Sequence, residues 1–488
     1  HQRLPRVTVV RIRHFVSGVL LHVLPSPVRI ELAKSRPLSG PLAAVDASGA
    51  GLLTAALPGA VPLLHDAYGV ALINAESEED AHIVVRTRPP QPSPLGRDPR
   101  TRTLAHADES YEISTDGVRT FVSAASPEGV FRALVTLAAI VAQTDEVPLA
   151  AVEDAPYYSW RGLSLDVSRH WYPLGEIERI IDLLASLKLN VLHLHLTDME
   201  AWRVPVPAYP ALTESSPHYR RDELERLVSY AQDRFVTIIP EVDMPGHMAA
   251  GVAAVPDLAH AEYLDPRLAY ISWENPAVPP FVAAVVDEVA SIFNAPYLHI
   301  GGDEAYGMPE HEYTHFVRQC ADLVRQRGRT PIGWQETTRT DCWNPEDLAQ
   351  LWVAPRDQFD PVKARSEWGE GAAAFIDLMT PVAAKSTGDA ARAADLGVPV
   401  VLSSSDPLYL DRKVLEASTL PEQEADRARL GMPSYEPLNS TSILDWHPSS
   451  DEQVHNHNLH IAGVEAAIWS ESITSLADLA FLLLPRLG

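Results

Sequence analysis

Eight short apolar runs dominate the chain beyond residue 160: Leu163–Val167, Val191–Leu196, Val236–Val242, Tyr297–Gly301, Pro331–Trp334, Ala349–Val353, Val398–Leu402 and Ile461–Trp469. Runs this continuously apolar fit strands buried on both faces, which a parallel sheet covered by helices requires. Helical patterns lie between them. The clearest places Ile177, Ile180, Ile181, Leu184 and Leu187 on one face, and others span Asp222–Arg234, Val278–Phe293 and Glu310–Arg327. Eight strand-then-helix units over about 330 residues read as a (β/α)8 TIM barrel, an α/β fold. A doubly wound open sheet needs a glycine-rich phosphate loop after its first strand. Here Ser168-Arg169-His170 follows that strand instead.

Composition changes ahead of the barrel. All ten Trp and all six Met lie after residue 150. The earlier part has strand-like pieces at His82–Val85, Glu112–Ser114 and Arg119–Ser123, a Pro- and Arg-rich loop at 84–104, and an amphipathic helix at Pro127–Gln143. It reads as a small α+β domain. The expected division is an N-terminal extension at 1–21, the small domain at 22–153 and the barrel at 154–488. Arg6, Arg11 and Arg13 precede the apolar run Phe15–Leu24, a loose likeness to a secretion signal. With no small-residue cleavage site behind it, a first strand is the favoured reading, and cytoplasmic and secreted locations both stay open.

Charge narrows the partners. Lys and Arg total 39 against 65 Asp and Glu, a net charge of -26. Nucleic acid demands a basic footprint, and this chain lacks one. No stretch reaches the ~18 apolar residues of a membrane helix. Two cysteines, Cys320 and Cys342, are too few for a disulfide framework and read as reduced thiols.

A TIM barrel places its chemistry at the carboxyl ends of the strands. Those ends carry Asp166 and Arg169, His195 and Asp198, Glu241 and His247, Asp303 and Glu304, Trp334 and Glu336, Trp352, Tyr409 and Asp411, and Trp469 and Glu471. Acids accept bonds from hydroxyls and aromatic faces cover C–H surfaces, so the mixture suits a sugar. The sharpest element is His299-Ile300-Gly301-Gly302-Asp303-Glu304. Neighbouring carboxylates on a regular strand point to opposite faces, and the glycine pair permits a departure that turns both to one ligand. Two acids at one site drive their pKa values apart. His193 and His195 share a face and would suit a metal, but no further convergent His set accompanies them.

These segments resemble glycoside hydrolase family 20, the β-N-acetylhexosaminidases. The likeness runs through Arg161-Gly162, Leu165 to His170, His195 to Asp198, Pro240 to His247, His299 to Glu304, Gly333 to Glu336, and Trp469-Ser470-Glu471. The resemblance implies an exo-acting, retaining enzyme that releases terminal β-linked GlcNAc or GalNAc, in which the substrate's own acetamido group is the nucleophile. It implies Glu304 as general acid and base, Asp303 as the group holding the acetamido N–H, and Asp198 with His247 as a relay beside the acid. It further implies that Arg161, Asp411 and Glu471 bind sugar hydroxyls, that Trp334, Trp352 and Trp469 wall the pocket, and that Tyr409 bonds the acetamido oxygen. No cofactor or metal is implied.

Two departures qualify the likeness. Met199-Glu200-Ala201-Trp202 replaces the usual Asp-Gln-Gly-Trp, so the loop after the second strand is expected to differ. The eighth helix is expected to be cut short or missing, exposing Leu476–Leu484 unless a second subunit, as in a homo-oligomer, covers it. A relative releasing a disaccharide or a sulfated sugar, and a binding-only relative, remain alternatives. The intact Asp303-Glu304 pair argues against the last.

Overall fold

The computed structural model describes residues 38–90, 108–147 and 150–487, save 261, 262, 264, 419 and 440, together with short strands at 15–16, 19–20, 29–32 and 36–37. The rest of the 1–21 extension and most of the Pro- and Arg-rich loop lie outside the described residues. The described chain forms two compact units.

The first unit is built on a seven-stranded mixed sheet in the order Arg29–Leu32, Ala150–Asp154, Tyr111–Thr115, Thr120–Ala124, Ile83–Thr87, Leu42–Asp46 and Leu72–Asn74. The helix expected at Pro127–Gln143 spans Pro127–Thr144. Ser126 caps it by accepting the Gly129 N–H at 3.1 Å, and Pro127 supplies a preset first turn. Arg132 inside it is buried and paired with Glu109 and Glu128, each at 3.2 Å. A second helix, Leu52–Tyr68, holds Pro58 and Pro62 in its interior. Sequence patterning misses it because interior proline normally ends a helix.

The second unit is a closed barrel of eight parallel strands: Trp160–Asp166, Val191–His195, Thr237–Glu241, Tyr297–His299, Thr330–Trp334, Leu348–Leu351, Val400–Leu402 and Ile461–Ile468. All eight expected runs are strands, with ends shifted by a few residues. Apolar side chains pack one level of the interior, among them Trp160, Val191, Ile239, Tyr297, Ile332 and Val401. Above that level the register sets Asp166 beside His195, His195 beside Glu241 and Glu241 beside His299. A polar layer therefore sits on an apolar floor, at the strand ends where a barrel does its chemistry.

The last helix corrects the sequence reading. A helix does follow the eighth strand, at Leu476–Leu483, capped by Ser475 accepting the Asp478 N–H at 3.2 Å. Leu479, Leu482 and Leu483 are buried by their own chain, and only Leu484 stands well exposed. Arg486 closes the turn beyond it, donating to the Leu482 carbonyl at 2.7 Å. The apolar run was read as uncovered because its burial depends on contacts distant in sequence. With it buried, this surface gives no reason to invoke a second subunit. Leu482→Ala is expected to cost about 3 kcal/mol, the usual penalty for a cavity at a fully buried leucine. Chemical denaturation read by tryptophan fluorescence will show it as a lowered midpoint.

Candidate active site

Gly301 and Gly302 decide where the acids point. The fourth strand ends at His299, and both glycines take positive φ, 70° and 99°. A Cβ on Gly301 would lie 2.6 Å from the Asp243 Cα, so only glycine allows the third and fourth strand ends to approach this closely. Asp243 uses the space, its Oδ1 accepting the Gly302 N–H at 3.0 Å. The chain then bends so far that Glu304 also has a positive φ of 50°. As a result Asp303 Oδ2 and Glu304 Oε2 lie 3.7 and 3.6 Å from one atom, His247 Nε2.

His247 joins these acids to the barrel interior. Its Nδ1 lies 3.0 Å from Asp198 Oδ1, and Asp198 Oδ2 lies 2.7 Å from His195 Nε2. His195 Nδ1 in turn donates to Glu241 at 2.6 Å. Glu241 also accepts Trp334 Nε1 at 2.7 Å, with His193 Nε2 3.0 Å and His299 Nδ1 3.1 Å away as ionic contacts. Burial resists charge on these histidines. The carboxylates outweigh it, raising His193 to about 9 and holding His195 and His247 well above the usual imidazole range. Burial opposes ionisation of Asp198 as well, yet His247 and Arg169 hold its carboxyl well below the usual range. His193 and His195 thus face inward on carboxylates.

The reacting pair is shielded differently. Burial and the neighbouring Asp243 push the Asp303 carboxyl well above its ordinary range. Burial also lifts Asp243 to about 6 and Glu336 to about 7. Glu304 is the more open of the pair, a third of its side chain exposed against 13% for Asp303. The Tyr306 hydroxyl donates to Glu304 Oε1 at 2.8 Å. One acid is therefore sunk among other acids, and the other stands at the mouth.

Aromatic rings line the opposite wall. Trp352 and Tyr409 lie parallel, with ring centroids 6.4 Å apart and 5° between planes. Trp352 Nε1 donates to Glu336 at 3.1 Å. Trp469 meets Tyr409 at 5.9 Å and Trp334 at 6.0 Å. Trp334 forms the floor, its ring buried and its N–H spent on Glu241. Asp411 is fully buried beside Tyr409, and neither oxygen has a hydrogen-bond partner of good geometry among the described residues. Burial and the charge of Glu471 raise its carboxyl to about 7.

The structure brings Asp198, His247, Asp303, Glu304, Trp334, Trp352, Tyr409, Asp411, Trp469 and Glu471 to this mouth. It does not bring Arg161. That residue opens the first strand, pairs in register with Val464, and donates to the Tyr158 carbonyl at 2.7 Å. Five residues of strand at about 3.3 Å each separate it from Asp166 at the mouth. The arginine at the site is Arg169, just past that strand. It contacts Asp198 at 2.8 Å and Glu200 at 3.1 Å, and its guanidinium lies over the Trp469 ring at 5.4 Å. The altered loop after the second strand supplies Glu200, so that departure adds a half-exposed carboxylate at the rim. Glu241 and Tyr306 are further residues that sequence reasoning gave no role. Their importance lies in what they touch across strands.

An acid pair under aromatic walls, at the mouth of a parallel barrel, is the equipment of a glycoside hydrolase. Comparison with known families agrees. The model described as "Glycosyl hydrolase family 20, catalytic domain" matches residues 158–488, and "Glycosyl hydrolase family 20, domain 2" matches residues 21–155. A β-N-acetylhexosaminidase of Cellulomonas fimi is 31% identical, spanning 96% of this chain and 88% of its own. The solved Streptomyces plicatus N-acetyl-β-hexosaminidase, in complex with Thio-NAglucal, superposes with a TM-score of 0.75 at 25% identity, covering 95% of this chain and 88% of that one. The family 20 β-N-acetylhexosaminidase of Streptomyces coelicolor gives 0.74 at 25% identity, covering 95% and 89%. The chain belongs to glycosyl hydrolase family 20.

The buried Asp411 yields a test by pH. Its folded value of about 7 stands above the ~3.9 of a free aspartate. Folding is therefore penalised increasingly as pH rises from about 4 to 7, and evenly above that. Asp411→Asn is expected to gain up to about 4 kcal/mol of stability at pH 8 and to show that gain vanish near pH 4. Thermal melts across the range measure it.

Proposed function

We propose that the protein is an exo-acting retaining β-N-acetylhexosaminidase in which Glu304 and Asp303 divide the work of the reaction. The observation that carries this division is the convergence of both carboxyls on His247 Nε2, at 3.6 and 3.7 Å, from unequal surroundings. An acid that must exchange protons with solvent-derived water needs access, and Glu304 has it. An acid that must answer charge inside the pocket needs a dry setting, and Asp303 has it.

In this reading the acetamido oxygen of the substrate attacks the anomeric carbon as the glycosidic bond breaks. Glu304 gives its proton to the departing oxygen. The nitrogen of the forming oxazolinium ring carries positive charge, and Asp303 holds its N–H. Positive charge beside Asp303 favours its carboxylate, offsetting the burial and acid neighbours that raise it in the free enzyme. Water then attacks the anomeric carbon on the face that the leaving group vacated, with Glu304 now accepting its proton. The ring opens back to the acetamido group with configuration retained.

The remaining residues position these two. Asp198 holds His247 as an imidazolium, and that charge stands between the carboxyls and tempers their repulsion. Trp352, Tyr409 and Trp469 enclose the ring and its acetamido group, with the Tyr409 hydroxyl on the acetamido oxygen. Asp411, Glu471 and Arg169 take the sugar hydroxyls. The substrate class is the terminal β-linked N-acetylhexosamine unit of an oligosaccharide or glycoconjugate.

Two measurements test the assignment. Aryl β-GlcNAc is expected to be cleaved and aryl β-glucoside, which has no acetamido group, to resist. Comparable rates on both would remove the acetamido group as nucleophile. Asp303→Asn should lower kcat on aryl β-GlcNAc by about 100-fold or more, as for loss of a preorganised electrostatic group. Glu304→Gln should lose about 100-fold to 10,000-fold on substrates whose leaving group needs a proton.

A further inference from the structure

Beyond Glu304 the mouth carries three rings that the reaction centre does not use. The sixth strand is followed by two helices, Pro361–Trp368 and Ala373–Ala383, joined where Gly369 turns the chain at a φ of 76°. Trp368 ends the first helix and is 45% exposed. Its ring is nevertheless held on two sides. Phe375 lies nearly parallel to it, with centroids 6.2 Å apart and 22° between planes, and Phe359 lies 6.0 Å away at 43°. Phe375 meets Tyr306 edge-on at 6.0 Å. Tyr306 is the residue whose hydroxyl bonds Glu304. Trp368, Phe375 and Tyr306 thus form a row leading from solvent to the general acid.

The helix carrying Phe375 also bounds open space beside that acid. A cavity of about 340 Å³ is lined by Glu304, Met308, Leu378 and Val382, among others. Arg365 pairs with Asp377 and Lys363 lies 3.9 Å from Glu367, and the exposed Glu370 adds an acidic excess beside Trp368. An acidic rim around a fixed, exposed indole suits the C–H face of an uncharged sugar ring and repels an anionic polymer.

Direction follows from the chemistry. A general acid delivers its proton to the glycosidic oxygen, so it stands on the side of the leaving group. Rings that extend outward from Glu304 lie along the path of the units the substrate keeps. We propose that Trp368, fixed by Phe359 and Phe375, is a stacking platform for the sugars on the leaving-group side of a neutral β-linked oligosaccharide. It is a specificity-determining residue separate from the pocket for the terminal unit. The inference rests on the reaction proposed above, and the experiment separates the two.

Wild type, Trp368→Ala and Trp368→Phe are compared on aryl β-GlcNAc, whose leaving group is no sugar, and on chitotriose and chitotetraose. In Trp368→Ala the ratio of oligosaccharide to aryl kcat/KM is expected to fall about fivefold to tenfold, carried by KM, as for loss of one aromatic stack. Trp368→Phe is expected to restore most of it. An unchanged ratio overturns the proposal. Equal losses on both substrates also overturn it, because they mark a packing role. Failure of the wild type to cleave aryl β-GlcNAc would instead overturn the reaction on which the proposal rests.

Discussion

The carboxylate of Glu241 organises the barrel mouth. It is fully buried, and it accepts hydrogens from His195 and Trp334, with His193 and His299 in ionic contact alongside. An unpaired charge there would be costly, and removing one partner of such a cluster would strand the rest. Those partners come from the second, fourth and fifth strands, while Glu241 itself ends the third. One ion therefore fixes four strand ends to one another. The chain continues through His195, Asp198 and His247 to the two acids, each link a hydrogen bond or a short ionic contact. The two acids inherit their placement from a fully buried charge.

That arrangement explains how two adjacent acids come to differ. Asp303 and Glu304 share a backbone turn and a histidine neighbour, yet one is packed among Asp243 and Glu336 while the other faces the opening. Chemical identity is the same type and environment sets the role. The aromatic wall of Trp352, Tyr409 and Trp469 bounds the same mouth. Arg169 crosses between the two regions, paired with Asp198 and lying over Trp469.

Much of this was legible in the chain. The eight strands announced themselves because a parallel barrel buries both faces, leaving little polarity to confuse the pattern. Asp303 and Glu304 stood out through the glycine pair ahead of them. What escaped depended on contacts across sequence. Arg161 and Arg169 flank the run Leu163–Val167, so their order already set them at opposite ends of the first strand, yet the family likeness placed the sugar contact on Arg161. The helix Leu52–Tyr68 was hidden by its prolines. The leucines of the last helix looked uncovered until distant segments were seen to bury them. Trp368 drew no sequence reading at all, since the two phenylalanines that hold it are not its chain neighbours.

The contact between Asp243 and Gly301 has a consequence for anyone who would rebuild this enzyme. Gly301 tolerates no side chain, because the carboxyl and backbone of Asp243 occupy the room its Cβ would need. The third and fourth strand ends consequently form a single transplantable part. A loop exchange that moves the acid pair without its aspartate would carry over the motif and lose the shape that aims it.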